Sequence, residues 1–198
     1  NVENFIGTSQ ADTILGDSST NYLQGMAGND TITALASNDI LEGGAGDDYL
    51  DGGADVDTVF YNQATSGVNV NLGITASQNV GGGQGNDTLI DIENVIGSGF
   101  ADTFKGNNSV SNTFNGGMNL STQVENLNDE NDTVDYSTLT GVTDKIIVDL
   151  SNTISANVQV TVAGVAQGAD TLINIENVIG GAGNDTFTGN NNNNILTG

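Results

Sequence analysis

The feature that most constrains this chain is a repeat of nine residues. Residues 7–60 divide into six nonapeptides with no insertion between them: GTSQADTIL, GDSSTNYLQ, GMAGNDTIT, ALASNDILE, GGAGDDYLD and GGADVDTVF. The sixth column is acidic or amide throughout: Asp12, Asn21, Asp30, Asp39, Asp48 and Asp57. The eighth column is apolar throughout: Ile14, Leu23, Ile32, Leu41, Leu50 and Val59. A short fixed period of this kind indicates a solenoid of stacked repeats.

Each nonapeptide has the composition of a turn followed by a short strand. Glycine at columns one, two and four permits positive φ and lets backbone carbonyls face inward, while the apolar residue at column eight points into the core. Nine residues reverse the chain once, so two repeats make one coil and repeats of like parity stack. We therefore predict an all-β fold, a parallel β-roll or β-helix solenoid with strand-rich insertions between rolls. One edge would carry Asp12, Asp30 and Asp48, and the opposite edge Asn21, Asp39 and Asp57.

The charge of the chain is strongly one-sided, with 25 acidic side chains against two lysines and a formal net charge of -23. This excludes nucleic acid as a natural partner and argues against anionic membrane surfaces, because binding to either requires basic side chains. Coils about 4.8 Å apart would bring stacked carboxylates to about 5 Å from each other, where they repel by roughly 3 kcal/mol at an effective dielectric near 20. A divalent cation between each stacked pair would reverse the sign of that energy.

The identity of this cation follows from the ligands that the chain offers. Calcium accepts irregular sites made only of oxygen, whereas magnesium requires a stricter octahedron and zinc prefers nitrogen or sulfur ligands. The chain has no histidine and no cysteine. The pattern therefore predicts several bound Ca²⁺ ions as the cofactor.

The nonapeptide register returns further along the chain, and a longer repeat is superimposed on it. VENFIG at residues 2–7 recurs as IENVIG at 92–97 and at 175–180. Between the nonapeptide runs, residues 67–72 and 157–163 alternate polar and apolar side chains, which predicts half-buried strands. We therefore divide the chain into five parts: a first roll (1–60), a strand-rich insert (61–81), a second, interrupted roll (82–135), a second strand-rich insert (136–163) and the start of a third roll (164–198).

The nonapeptides, together with segments such as GNDTLIDIENVIGSGFADTFKGN, resemble the RTX family of type I secreted bacterial proteins. The resemblance implies that the motif aspartates and the turn carbonyls bind calcium, and that the array is disordered until it meets extracellular calcium. The motif is best matched around Asp30, Asp39, Asp48 and Asp57, whereas Ala34 and Leu35 in place of a glycine pair predict weaker binding. The candidate metal ligands are Asp12, Asp30, Asp39, Asp48, Asp57, Asp87, Asp102, Asp132, Asp170, Asp185, Gly25, Gly28, Gly43, Gly44, Gly46, Gly52 and Gly53.

Two functions remain open at this point, and neither is enzymatic, because the usual general bases and thiol nucleophiles are absent. In the first, the chain is an excerpt of a large secreted bacterial surface protein, such as an adhesin extender, an S-layer or a self-assembling fibril, stiffened by extracellular calcium. In the second, it is the secretion and folding module of an exported protease, lipase or toxin. The superimposed long repeat favours the first. The expected partners are calcium and copies of the chain itself, with no membrane insertion, and the expected location is extracellular at the cell surface.

Overall fold

The computed structural model describes residues 3–107, 110–117, 131–151, 156–162 and 165–198, with side chains described for all of these except 156–162 and 165–168. The regular elements of this described part are strands. It contains no helix that is long and apolar enough to cross a membrane. The strand predicted at residues 157–163 falls within an observed strand, except for Ala163, which lies outside the described residues.

Most strands are only three residues long, as expected for the last third of a nonapeptide. The first ten are β1 (Asn4–Ile6), β2 (Thr13–Leu15), β3 (Tyr22–Ala27), β4 (Thr31–Thr33), β5 (Ile40–Ala45), β6 (Tyr49–Asp51), β7 (Thr58–Phe60), β8 (Asn69–Asn71), β9 (Gln78–Asn79) and β10 (Asn86–Ile90). The next ten are β11 (Asn94–Ile96), β12 (Thr103–Lys105), β13 (Thr113–Asn115), β14 (Thr133–Asp135), β15 (Lys145–Asp149), β16 (Ala156–Val162), β17 (Val165–Ile173), β18 (Asn177–Ile179), β19 (Thr186–Thr188) and β20 (Leu196–Thr197).

The strands stack into two faces. The first face is one ten-stranded sheet in the order β1-β3-β5-β7-β11-β13-β17-β16-β15-β19. The second face consists of two five-stranded sheets, β2-β4-β6-β10-β9 and β8-β12-β14-β18-β20, which an antiparallel bridge between Val68 and Gly81 joins. In the first coils, neighbouring strands pair in parallel with residues 18 positions apart, such as Tyr22 with Ile40 and Thr31 with Tyr49. The predicted all-β parallel roll is confirmed.

The two inserts add antiparallel strands to opposite faces. On the second face, β9 and β8 lie between β10 and β12, while on the first face β7 pairs directly with β11. On the first face, β16 and β15 lie between β17 and β19, while on the second face β14 pairs directly with β18. The first face is thus one sheet with strands from four of the five predicted parts, all except residues 61–81, and the inserts lengthen a face without interrupting the stack.

The centre of the core consists of side chains from the eighth column, which both faces contribute. Leu41, Leu50 and Val59 are fully buried, and the column continues beyond the first roll through Val95 and Phe104. Their equivalents on further coils are Ile14, Leu23, Ile32, Val70, Leu89, Phe114, Val134, Leu172 and Val178. Because each short strand contributes one buried apolar side chain, the core holds the two faces together but has little bulk with which to offset buried charge.

Candidate metal centre

Four consecutive turns share one backbone conformation. In the turns at residues 25–30, 34–39, 43–48 and 52–57, the second residue has a left-handed φ whether or not it is glycine: Met26 (84°), Leu35 (85°), Gly44 (98°) and Gly53 (93°). The fourth residue of each turn also has a left-handed φ: Gly28 (116°), Ser37 (77°), Gly46 (149°) and Asp55 (82°). Left-handed backbone is costly for residues with a Cβ, so the turn shape is maintained even where the sequence does not favour it. We call these four the open turns.

Glycine in the first column makes room for oxygen atoms. A Cβ on Gly25 would overlap Oδ2 of Asp30 in the same turn and would lie 2.7 Å from the carbonyl oxygen of Gly43, the equivalent residue one coil further on. A Cβ on Gly52 would lie 2.6 Å from Oδ2 of Asp57. A carboxylate oxygen and a carbonyl oxygen therefore converge beside a backbone that carries no side chain.

The sixth-column aspartates form a ladder along each edge of the roll. On one edge, the backbone N–H of Asp12 donates to Oδ1 of Asp30 (2.7 Å), that of Asp30 to Oδ1 of Asp48 (2.8 Å), and that of Asp48 to Oδ1 of Asp87 (3.2 Å). Each carboxylate thus uses one oxygen to bind the backbone of the preceding coil. The edge has the composition that the repeat predicted.

The opposite edge repeats this ladder. The backbone N–H of Asn21 donates to Oδ1 of Asp39 (2.6 Å), and that of Asp39 to Oδ1 of Asp57 (2.7 Å). On the edge that carries Asp12, two further rungs follow the first roll, from Val68 N–H to Asp102 Oδ1 and from Asp102 N–H to Asp132 Oδ1, both 2.7 Å. The ladder is therefore a property of the sixth column in both halves of the chain.

In the four open turns, the second carboxylate oxygen has no hydrogen-bond donor. The orphaned atoms are Oδ2 of Asp30, Asp39, Asp48 and Asp57. All four side chains are at most 2% exposed. A buried carboxylate oxygen without a partner is costly, and a bound cation is the partner that would remove this cost.

Burial raises the pKa of these carboxyl groups in the metal-free chain. The pKa of Asp48 and that of Asp57 rise to about 6, first because burial disfavours the charged form and then because neighbouring carboxylates repel it. Burial likewise raises the pKa of Asp30 and Asp39. The electrostatic environment is one that a positive ion would stabilise.

The donor set fits calcium. The described residues contain no cluster of three or more acidic, histidine or cysteine side chains suited to hold a metal, so each open turn offers one carboxylate oxygen together with backbone carbonyls. Calcium takes six to eight oxygen ligands of mixed type in flexible geometry. The candidate glycines occupy the first (Gly25, Gly43, Gly52), second (Gly44, Gly53) and fourth (Gly28, Gly46) columns of these turns.

Other turns have a closed conformation in which the backbone itself satisfies the sixth-column side chain. In a closed turn, the N–H of the second residue donates to the sixth: Thr8 to Asp12 (2.7 Å), Asp17 to Asn21 (2.9 Å), Ser98 to Asp102 (2.6 Å), Gly181 to Asp185 (3.0 Å) and Asn190 to Asn194 (2.9 Å). None of these second residues has a left-handed φ. Three of the candidate ligands, Asp12, Asp102 and Asp185, thus lie in closed turns.

Two more candidate ligands are held by tyrosine. The Tyr61 hydroxyl donates to Oδ2 of Asp87 (2.9 Å), and the Tyr136 hydroxyl donates to Oδ2 of Asp170 (2.8 Å). Both tyrosines are at most 2% exposed, and each is the first residue after a strand that leads into an insert. The other oxygen of each aspartate accepts a backbone N–H, from Asp48 and Asn112 respectively. Both oxygens of Asp87 and of Asp170 are therefore occupied.

Two residues of the ladder were missed by sequence reasoning, Glu93 and Glu176. Oε2 of Glu93 accepts the N–H of Asp57 (2.9 Å), and Oε2 of Glu176 accepts the N–H of Asp132 (3.1 Å). Both belong to the IENVIG motif. The signal that could have found them is the spacing to the following glycine, since each glutamate stands four residues before it, as Asp12 does before Gly16.

Comparison with known proteins agrees with this geometry. A family model described as RTX calcium-binding nonapeptide repeat (4 copies) matches residues 6–41, 24–59 and 174–198. No curated protein sequence matches the chain significantly. The first two matches contain all four open turns. The chain therefore carries RTX calcium-binding nonapeptide repeats, as the sequence resemblance predicted; such repeats bind several calcium ions per array and occur in secreted bacterial proteins.

Proposed function

We propose, starting from the RTX calcium-binding repeats that this chain carries, that it is a structural segment of a bacterial cell-surface protein, such as an adhesin extender, an S-layer or a fibril, folded and stiffened by extracellular calcium. The observation that carries this proposal is the set of four orphaned Oδ2 atoms in consecutive open turns. Because these turns alternate between the two edges, ions bound there would connect successive coils along both sides of the roll.

Folding depends on calcium because the apolar core is small compared with the number of carboxylates that the fold buries. The core contributes one buried apolar side chain per short strand, whereas the ladder buries a carboxylate at almost every turn. Without a cation, the stacked carboxylates oppose folding; with one, the free energy of calcium binding adds directly to the free energy of folding. Such a segment would fold where calcium is abundant, outside the cell.

We assign no catalysis to the segment. Its buried carboxylates are repeated along a regular lattice and serve the same backbone contact in each coil. The chain has no histidine or cysteine to act as base or nucleophile. A scaffold role is the function that such a lattice supports best.

Copies of the chain are the proposed partner beyond calcium, joined end to end. The first coil exposes Phe5 (42%), Ile6 (62%) and Leu15 (69%), and the last exposes Ile195 (65%) and Leu196 (38%). Exposed apolar side chains beside strand edges that can pair further suit the association of one copy with another.

Electron microscopy of the 198-residue chain tests this role. We expect filaments or oligomers with calcium and none in excess chelator, because only the folded roll presents ordered strand edges beside these apolar side chains. The double variant Leu15→Ser, Ile195→Ser should shorten the filaments while leaving the calcium-dependent fold intact. Monomers both with calcium and in chelator would contradict the assembly proposal and would favour a secretion and folding module of an exported enzyme or toxin.

A further inference from the structure

The IENVIG motif contains a turn that is shorter than the others. Asn94 pairs with Thr58 and Val95 with Val59, which places Glu93 in the sixth column. Asp91 directly follows the last residue of β10, which places it in the first column. Only Asp91, Ile92 and Glu93 thus take the place of the usual six turn residues. A glutamate, longer than aspartate by one methylene, reaches the backbone of Asp57 from this shortened turn.

This turn completes the same oxygen arrangement that the open turns have. Asp57 is fully buried and its Oδ2 has no hydrogen-bond donor. A Cβ on Gly52 would collide with the carbonyl oxygen of Asp91 and lie 2.6 Å from Oδ2 of Asp57. Oε2 of Glu93 accepts the N–H of Asp57 (2.9 Å). The Asp57 carboxylate and an inward carbonyl therefore converge beside Gly52, and the Glu93 carboxylate binds the backbone of the same aspartate.

The second IENVIG motif has the same contacts. Here Gly116 has the position that Gly52 has beside the first motif. A Cβ on Gly116 would collide with Oδ2 of Asp132 and the carbonyl oxygen of Asn174. Glu176 binds the N–H of Asp132 as Glu93 binds that of Asp57. Asp91 and Asn174 even share a left-handed φ, of 49° and 52°. This agreement holds although the two aspartates precede their glutamates by 36 and 44 residues.

We propose that Glu93 and Glu176 are calcium ligands, each completing a site with the sixth-column aspartate of the preceding coil, Asp57 or Asp132, and with the carbonyl of Asp91 or Asn174. This inference rests on the proposed calcium binding of the repeats. Each IENVIG motif is then the last rung of a calcium ladder, and it carries ion binding across the junction between an insert and the next roll.

The test is the number of calcium ions bound, measured by equilibrium dialysis at roughly 1 mM free calcium, the upper end of the range for extracellular modules. The variants Glu93→Gln and Glu176→Gln keep an acceptor for the backbone N–H and remove the charge. We expect each to bind one ion fewer than the natural sequence, and the double variant two fewer. The matched control is Glu3→Gln, because Glu3 stands in the same motif before β1 but is exposed; it should bind the full number.

Circular dichroism in calcium checks that each variant folds. If Glu93→Gln does not fold, Glu93→Asp replaces it, since this variant keeps the charge but cannot reach from the short turn, and it too should lose one ion. An unchanged number of bound ions in the folded glutamate variants would overturn the assignment of Glu93 and Glu176. A natural sequence that binds no calcium at all would instead contradict the proposed function itself.

Discussion

At the scale of single residues, the two oxygens of a sixth-column aspartate have different roles. Oδ1 of Asp48 accepts the backbone N–H of Asp30 in the preceding coil, whereas its Oδ2 faces the turn without a donor. One oxygen therefore serves the fold and the other is available to an ion. Asparagine at position 21 joins the stack through its backbone N–H, which donates to Oδ1 of Asp39, while its amide oxygen accepts the N–H of Asp17 within its own turn.

Replacement of Asp48 should affect calcium binding far more than replacement of a nearby acid outside the sixth column. Asp48→Ala removes a ligand oxygen and the acceptor of a buried N–H, which costs about 1–3 kcal/mol. We therefore expect the calcium midpoint of folding to rise on the order of tenfold. Asp17→Ala removes local contacts to Ser19 and Asn21 within its own turn and should leave the midpoint nearly unchanged. Equal shifts in the two variants, measured by circular dichroism, would show that the column assignment is wrong.

At the scale of the turn, the column pattern was predictable but the distinction between open and closed turns was not. Ala34 and Leu35 in place of a glycine pair predict weaker calcium binding, but they do not change the shape of the backbone, since Leu35 has the same left-handed φ as Gly44 and Gly53. Neighbouring coils stack directly on this turn, as the hydrogen bond from Ala54 N–H to Leu35 O shows, and they impose its shape. The conformational preference of a single residue cannot reveal a constraint that comes from the coil above or below it.

The ladder of carboxylates also predicts that protons can partly replace calcium. The pKa of Asp48 and Asp57 is about 6 and that of Asp87 about 7 in the folded chain, above the ordinary value of 3.8. A raised folded pKa contributes stability that is complete below the unfolded pKa and is lost as the pH rises through the folded pKa. In chelator, β structure should therefore be greater at about pH 5 than at pH 7.5.

Circular dichroism across this pH range in chelator is the measurement, and Asp87→Asn is the matched control. This variant keeps an acceptor for the Asp48 N–H and places an amide N–H donor beside the Tyr61 hydroxyl oxygen. Because it cannot ionise, the upper part of the transition, near pH 7, should flatten. The calcium midpoint of the natural sequence should rise as the pH falls, because protons compete with the ion. A metal-free chain with the same β content at pH 5 and pH 7.5 would contradict this electrostatic account.

At the scale of the whole molecule, the two inserts have a compensating arrangement. The insert at residues 61–81 adds two strands to the second face. The insert at residues 136–163 adds two strands to the first face, and each addition lengthens its face by about 10 Å. In the described part of the chain, both faces therefore contain ten strands. Alternating inserts keep the two faces equal in number of strands, so that the coils before and after each insert belong to one stack.

The sequence could predict the inserts as strands but not their placement. Alternation at Val68 and Val70 identifies a half-buried strand, and both side chains are buried. Whether that strand joins the first or the second face depends on contacts with β9 and β12, which come 9 and 34 residues later in the chain. The nonapeptide period gives local register only, and it ends where each insert begins.

The central claim, that calcium and folding are one equilibrium in this chain, is tested most directly by far-ultraviolet circular dichroism at neutral pH during a calcium titration from excess chelator. We predict little β structure in chelator and a cooperative rise at roughly 0.1 to 1 mM calcium, with no comparable rise in magnesium. A chain that has its full β content in chelator, and that does not change when calcium is added, would contradict the account.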